Sequence, residues 1–264
     1  MADDGAVTTS RVDGVLHVRF ERPSRRNSLS PSMVKAFVDT LTEAASDDSL
    51  RAVHIRGAGS DFCAGVDWSS NPSAERPRTG DLVRRVPHGS HRVIELVHTI
   101  QLPVVCSVRG WAAGLGCNLA LAADFTVAAS DSVFWEPFLD RGFSPDSGST
   151  WLLPRLVGLA RAKSMLLLGE KVSGPDAADW GLIHRCVGDD ELDDVAAELV
   201  ARLASGPTVA IGLAKQAIHY GQHATLPQSM NQELFNLELS SRTKDFKEGL
   251  AAFREKRTPD FGGR

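Results

Sequence analysis

Residues 110–125 read GWAAGLGCNLALAADF, with three glycines inside seven positions immediately ahead of an apolar run of helical length. Glycine costs a helix about 1 kcal/mol relative to alanine, so Gly110, Gly114 and Gly116 need a reason to crowd there. VVCSV at 104–108 predicts a strand running into the stretch, which makes it a small-residue turn between a strand and a helix. At such a helix start the backbone N–H groups lack partners and the helix dipole is positive. Bare backbone lets a ligand oxygen approach those groups; it equally lets strand and helix pack closely. On this stretch alone both readings stand. The spacing is neither G-x-G-x-x-G nor a P-loop, since no Gly-Lys-Ser/Thr follows.

The rest of the chain supplies a rhythm. A strand is predicted over Val12–Phe20, with Val12, Leu16, Val18 and Phe20 on one face, then a helix from an N-cap at Ser30 and a proline at Pro31 to about Ala45. Strands follow at 51–56, 103–108 and 125–129, and helices at 91–100 and 115–123. That alternation argues for an α/β fold with a largely parallel sheet. Residues 69–90, rich in Pro, Ser, Gly and Arg, read as one long irregular insertion, a lid or surface loop. Beyond Ser149 the chain reads as helices near 148–157, 160–168, 175–180, 190–204, 207–220, 226–242 and 243–254, with a short strand at 183–187.

A second stretch, GAGSDFCAGVD at 57–67, is another strand followed by a glycine turn, in which Gly65 precedes Val66 and Asp67. Two bare N–H groups from separate loops can hold one carbonyl oxygen between them. Such an oxyanion hole contributes about 2.7–4 kcal/mol per donor.

Taken in order, ERPSRRNSLS, SDFCAGVD, VRGWAAGLGCNLALAADF, GFSPDSGSTWLLPRLVG and AAFREKRTPDF resemble the crotonase (enoyl-CoA hydratase/isomerase) superfamily, over about Val12 to Phe261. The resemblance implies a ββα-type spiral core over 1–190 and a C-terminal helical trimerisation region over 191–264. It implies an acyl-CoA substrate, with coenzyme A as part of the thioester and no prosthetic group. It implies an oxyanion hole from the amides of Val66 and Leu115. It also implies coenzyme A contacts from Arg25, Arg26, Ser28, Ala64 and Asp67, and from the Lys256 region reaching a neighbouring subunit.

The chain departs from the hydratase pattern at both of that group's glutamate positions, which hold Asn118 and Phe138. An asparagine cannot act as a base. The remaining carboxylate is Asp146, which matches the catalytic aspartate of isomerase-type and dehalogenase relatives and could alternatively be a helix N-cap. Asp140 and Glu136 are further candidates. Phe134, Trp135, Phe138 and Trp151 could wall an apolar pocket or serve only as core. The favoured reading is a proton-shuttling isomerase. The alternatives are a hydratase with an atypical base, in which Asn118 positions water, and a catalytically silent acyl-CoA binder. PDSGST echoes a serine-protease motif, but the βαβ rhythm is wrong for that fold.

Composition narrows the partners. A formal net charge of −4 gives no support to nucleic acid. No apolar run reaches the roughly 20 residues of a membrane span, and the acidic, polar N-terminus does not read as a signal peptide. Four cysteines without metal or paired spacing suit free thiols in a reducing cytoplasm, and no metal is expected. Apolar stripes at Val195, Leu199 and Leu203, and at Leu234 and Leu237, exceed what one small sheet could cover. They predict a homo-oligomer, for which the resemblance implies a trimer or a dimer of trimers.

Overall fold

The computed structural model describes residues 4–67 and 79–264. The chain opens with a hairpin, strands β1 (Ala6–Val12) and β2 (Val15–Glu21), where a single strand over Val12–Phe20 is predicted. Asp13 and Gly14 both take positive φ, as a tight hairpin turn between twisted strands demands. Val12 therefore ends the outer strand and is 54% exposed, while Leu16, Val18 and Phe20 point into the core as expected.

Helix α1 (Pro31–Ala44) starts as predicted: Met33 N–H donates to Ser30 Oγ at 3.3 Å, with Pro31 in the first turn. Strand β3 (Ala52–Gly57) pairs parallel with β2. In the stretch predicted to be irregular, α2 (Asp81–Arg85) and a single 3₁₀ turn at Val86–His88 lead into α3 (Ser90–Thr99). Residues 69–78 of that stretch lie outside the described residues.

Strands β4 (Val104–Val108) and β6 (Phe125–Ala129), with β9 (Arg185–Val187), complete a six-stranded sheet in the order β1-β2-β3-β4-β6-β9, parallel except for the first hairpin. A second sheet, not predicted, joins β5 (Trp111–Ala113), β7 (Val133–Trp135) and β8 (Val172–Ser173). Its strands are two or three residues long, too short to show alternation. Between β5 and β6 lies α4 (Leu115–Ala122), every residue of it buried.

The helices at 148–157 and 160–168 form one helix, α5 (Ser149–Leu168), broken at Gly158 (φ 73°, ψ 169°). Helix α6 (Gly174–Asp179) follows, then α7 (Leu192–Ala204), α8 (Thr208–Gly221), α9 (Leu226–Ser240) and α10 (Lys244–Glu255).

One face of the large sheet carries the main core, with Val18, Phe20, Ile55 and Cys106 packed under α1, α3 and α4. The other face is covered by α7, where Val195, Leu199 and Leu203 pack against Val15, Ala52, Val105 and Val127. That stripe is thus covered within the chain. Leu234 and Leu237 on α9 stay about 60% exposed, with Phe235, Leu239 and Met230 beside them. Cys63, Cys106 and Cys117 are buried free thiols, and Cys186 is half-buried. Among the described residues no single helix is long and apolar enough to cross a membrane.

Candidate active site

The two glycine turns meet because their flanks are paired. Trp111 N–H donates to Asp61 Oδ1 (3.0 Å), Cys63 N–H to the Trp111 carbonyl (2.9 Å) and Ala113 N–H to the Cys63 carbonyl (3.0 Å), so segment 61–64 runs along β5. The glycines permit the contact. A methyl group on Gly116 would lie 2.2 Å from the Cys63 carbonyl oxygen. One on Gly65, at φ 91°, would lie 2.8 Å from the Ala113 oxygen and 3.4 Å from the Leu115 nitrogen.

Among the described residues the Val66 and Leu115 amides donate to no backbone acceptor. Leu115 heads α4, where an N–H has no intrahelical partner. Each amide is aimed through the rigid peptide it shares with the preceding glycine. The Gly65 carbonyl accepts from Leu29 N–H at 2.8 Å, which turns the Val66 N–H the other way. The Gly114 carbonyl accepts from Asn118 N–H at 2.9 Å and from Asn118 Nδ2 at 3.2 Å. The Gly114 N–H donates to the Trp135 carbonyl at 2.8 Å.

Val66 and Leu115 border one largely apolar cavity of about 510 Å³. Its apolar wall comes from Leu29, Val34 and Val38 near α1, Leu82 and Val86 around α2, and Phe138 and Phe143. Asp146 opens onto it, half-buried, with Ser147. The carboxylate is not a helix cap. The first turn of α5 is preceded by Gly148, and it is the Asp146 main-chain carbonyl that accepts from Ser149 N–H and Oγ. The side chain is oriented by Ser147, whose hydroxyl donates to Oδ1 at 2.6 Å. Ser147 takes a left-handed φ of 53° to do so, in a Pro-Asp-Ser-Gly run that reads only as a turn.

The other candidates divide. Phe138 lines the cavity, whereas Phe134 is core, Trp135 packs on Trp111, and Trp151 faces His98 in a separate hollow. Asn118 is fully buried and off the cavity, with its side chain on the Gly114 carbonyl, so the water-positioning role expected of it has no place there. Glu136 is equally buried and off the cavity. Burial, reinforced by the nearby Asp146 charge, pushes its carboxyl well above the usual carboxylate range, only partly offset by the Cys117 thiol. Asp140 sits against the end of α5 at Gly169.

Arg25, Ser28, Ala64, Val66 and Asp67 line an adjoining recess with Arg141 and Phe143. Asp67 is held there by a buried ion pair with Arg22 at 2.7 Å. Arg26 lies over the Trp111 ring instead, and Lys256 caps α10 in a left-handed turn; neither borders the cavity or the recess. Asn27, in the same segment as Arg25, Arg26 and Ser28, has a bracing role that sequence reasoning did not foresee. Its side chain accepts from Arg22 N–H (2.9 Å) and donates to the carbonyls of Ala58 (2.8 Å) and Asp61 (2.6 Å), tying the loop after β2 to the loop after β3.

Comparison with known proteins gives the family. Residues 10–264 match the family model described as enoyl-CoA hydratase/isomerase. The chain is 37% identical to the 1,2-epoxyphenylacetyl-CoA isomerase of Escherichia coli K12, over 95% of this chain and 96% of that one. It is 33% identical to the 2,3-dehydroadipyl-CoA hydratase of the same organism, over 97% and 98%. The solved enoyl-CoA hydratase of Bacillus anthracis superposes with a TM-score of 0.89 at 31% identity, covering 98% of this chain and 99% of that one.

Proposed function

Since the chain belongs to the enoyl-CoA hydratase/isomerase family, we propose that it is a proton-shuttling isomerase of an acyl-CoA thioester, with Val66 and Leu115 as oxyanion donors and Asp146 as the proton carrier. The thioester carbonyl oxygen accepts from both amides. Asp146 removes a proton from the acyl chain, the electron pair flows onto the thioester oxygen as an enolate, and the proton returns at another carbon. The coenzyme A part lies along the recess at Arg25, Ser28 and Ala64. The single observation that supports this most is that two amides without a backbone acceptor among the described residues and one oriented carboxylate border the same apolar cavity. Absence of glutamate at positions 118 and 138 weighs against hydration by a carboxylate pair.

The test is incubation with a panel of enoyl- and aryl-CoA thioesters followed by mass and absorbance. Isomerisation changes absorbance at constant mass; addition of a water mass would make the protein a hydratase instead. The turnover found should fall by roughly 10²–10⁴ in Asp146→Asn, with thioester binding retained. An Asp146→Asn enzyme of near-normal rate would overturn the assignment. The apolar face of α9 supports assembly as a homotrimer or a dimer of trimers. A species of single-chain mass at all concentrations in sedimentation would refute it.

A further inference from the structure

Glu136 is 0% exposed, and its two carboxyl oxygens have unequal surroundings. Oε2 lies 3.5 Å from Asn118 Nδ2, and Oε1 has no hydrogen-bond partner among the described residues. The Cys117 thiol stands beside the same carboxyl. An isolated buried carboxylate is expensive, so a glutamate in this position needs a reason.

The reason lies one residue away, in the peptide between Gly114 and Leu115. Gly114 sits at φ 52°, ψ −121°, a conformation open only to glycine. A glycine there has little side-chain sterics to stop its following peptide from flipping, and a flip would aim the carbonyl oxygen, rather than the Leu115 N–H, at the ligand. The Asn118 backbone N–H (2.9 Å) opposes that flip by donating to the Gly114 carbonyl, and the Asn118 side-chain amide (3.2 Å) adds a second donor. Glu136 stands on the far side of that amide, and the adjacent residue, Trp135, takes the Gly114 N–H. The end of β7 and the residue after it thus hold Gly114 on both sides, at its N–H directly and at its carbonyl by way of Asn118.

We propose that Glu136 and Asn118 form a positioning clamp, in which Glu136 holds the Asn118 side-chain amide on the Gly114 carbonyl and so keeps the Leu115 N–H aimed into the cavity. The inference rests on the reading of Leu115 as an oxyanion donor. Burial favours the uncharged form of Glu136, and a carboxylate behind the hole would oppose the negative charge that develops on the thioester oxygen. Glu136 and Asn118 touch no reacting atom in this scheme.

Three measurements test it. First, the infrared spectrum of the protein at neutral pH should contain a protonated carboxylic-acid carbonyl band that Glu136→Gln removes. Second, a dienoyl-CoA thioester serves as a probe whose absorbance moves to the red when its carbonyl is polarised. The shift should shrink in Asn118→Ala and in Glu136→Leu, and Glu136→Gln should restore most of it. With a turned-over substrate, kcat should fall by roughly ten- to a hundred-fold in both disabling variants, as for a misplaced catalytic group, while KM changes by less than about threefold. The double variant should be no worse than either alone, because the two residues act as one unit. Third, the crystal structure of Asn118→Ala should show the Gly114–Leu115 peptide rotated.

An unrotated peptide with an undiminished red shift in Asn118→Ala would overturn the clamp, and so would a Glu136→Gln variant as impaired as Glu136→Leu. The structure of Asn118→Ala serves should Glu136→Leu fail to fold. If the unaltered protein binds the dienoyl probe with no red shift, the oxyanion reading itself fails. If Asp146→Asn is inactive while both clamp variants behave normally, only the clamp fails.

Discussion

At the scale of single residues, space decides which glycines are essential. Gly116 has an ordinary helical backbone, yet a methyl group there would press into the Cys63 carbonyl at 2.2 Å, with backbone on both sides and little room to yield. Gly116→Ala should therefore destabilise the protein by about 1–3 kcal/mol, read as a lower urea midpoint with unchanged slope. Gly142, with nothing within 4 Å of its added methyl but a φ of 75°, is the useful contrast: alanine there meets only backbone strain, so the loss should be smaller. The glycines were legible in the sequence because a strand-to-helix turn dictates their local geometry, whereas the two donor amides were named by the family resemblance. Asn118 and Glu136 were not legible. Their meaning depends on a contact across 18 positions between a helix and a strand too short to read, and asparagine at position 118 looked like a ligand-facing group until its burial was known. Asp146 was legible as a carboxylate of interest. Its mistaken second reading as a cap arose because Ser147 and Gly148 both take positive φ, which delays the helix by two residues.

At the scale of elements, caps and turns made the first half readable. Ser30-Pro31 set the start of α1, and its test is direct: Ser30→Ala removes the acceptor for Met33 N–H and the donor to the Asp4 carbonyl (2.6 Å), and should cost about 0.5–2 kcal/mol by denaturant titration. Asp13-Gly14 carried the strongest two-residue hairpin signal in the chain, and a single run of alternating residues through it concealed the signal. The small sheet β5-β7-β8 escaped because its strands borrow their pairing from neighbours distant in sequence. Gly158, with nothing within 4 Å of its added methyl, is there to break α5 and not to make room. That explains why the two halves looked like separate helices.

At the scale of the whole molecule, the C-terminal helices meet the core through a titratable seam. The His98 and His219 rings stack 3.8 Å apart between α3 and α8. Around them stand the buried Lys215–Asp124 pair (2.7 Å), Trp151 and Arg155 of α5, and His223. Burial, with cationic neighbours, brings His219 down to about 4 and lowers His98; on the α7 face of the sheet, burial brings His54 to about 4 as well. A histidine held neutral in the fold takes up its proton at about 6.5 once unfolded. The unfolded chain then binds more protons, and stability must fall as pH drops from about 6.5 towards 4. Urea midpoints at pH 7 and pH 5 should show the decline, and His219→Gln should flatten it. The same long-range construction bears on the active site. Val66 and Leu115 come from distant parts of the chain and become neighbours only after β3, β4 and β5 have assembled. No fragment can therefore hold a thioester, and the unfolded ensemble has no affinity for one. Ligand occupancy and folding are thus thermodynamically linked. A bound acyl-CoA at a hundredfold its dissociation constant would add about 2.7 kcal/mol to the stability of the entire fold. In a cell, the supply of substrate would set the lifetime of the enzyme that consumes it.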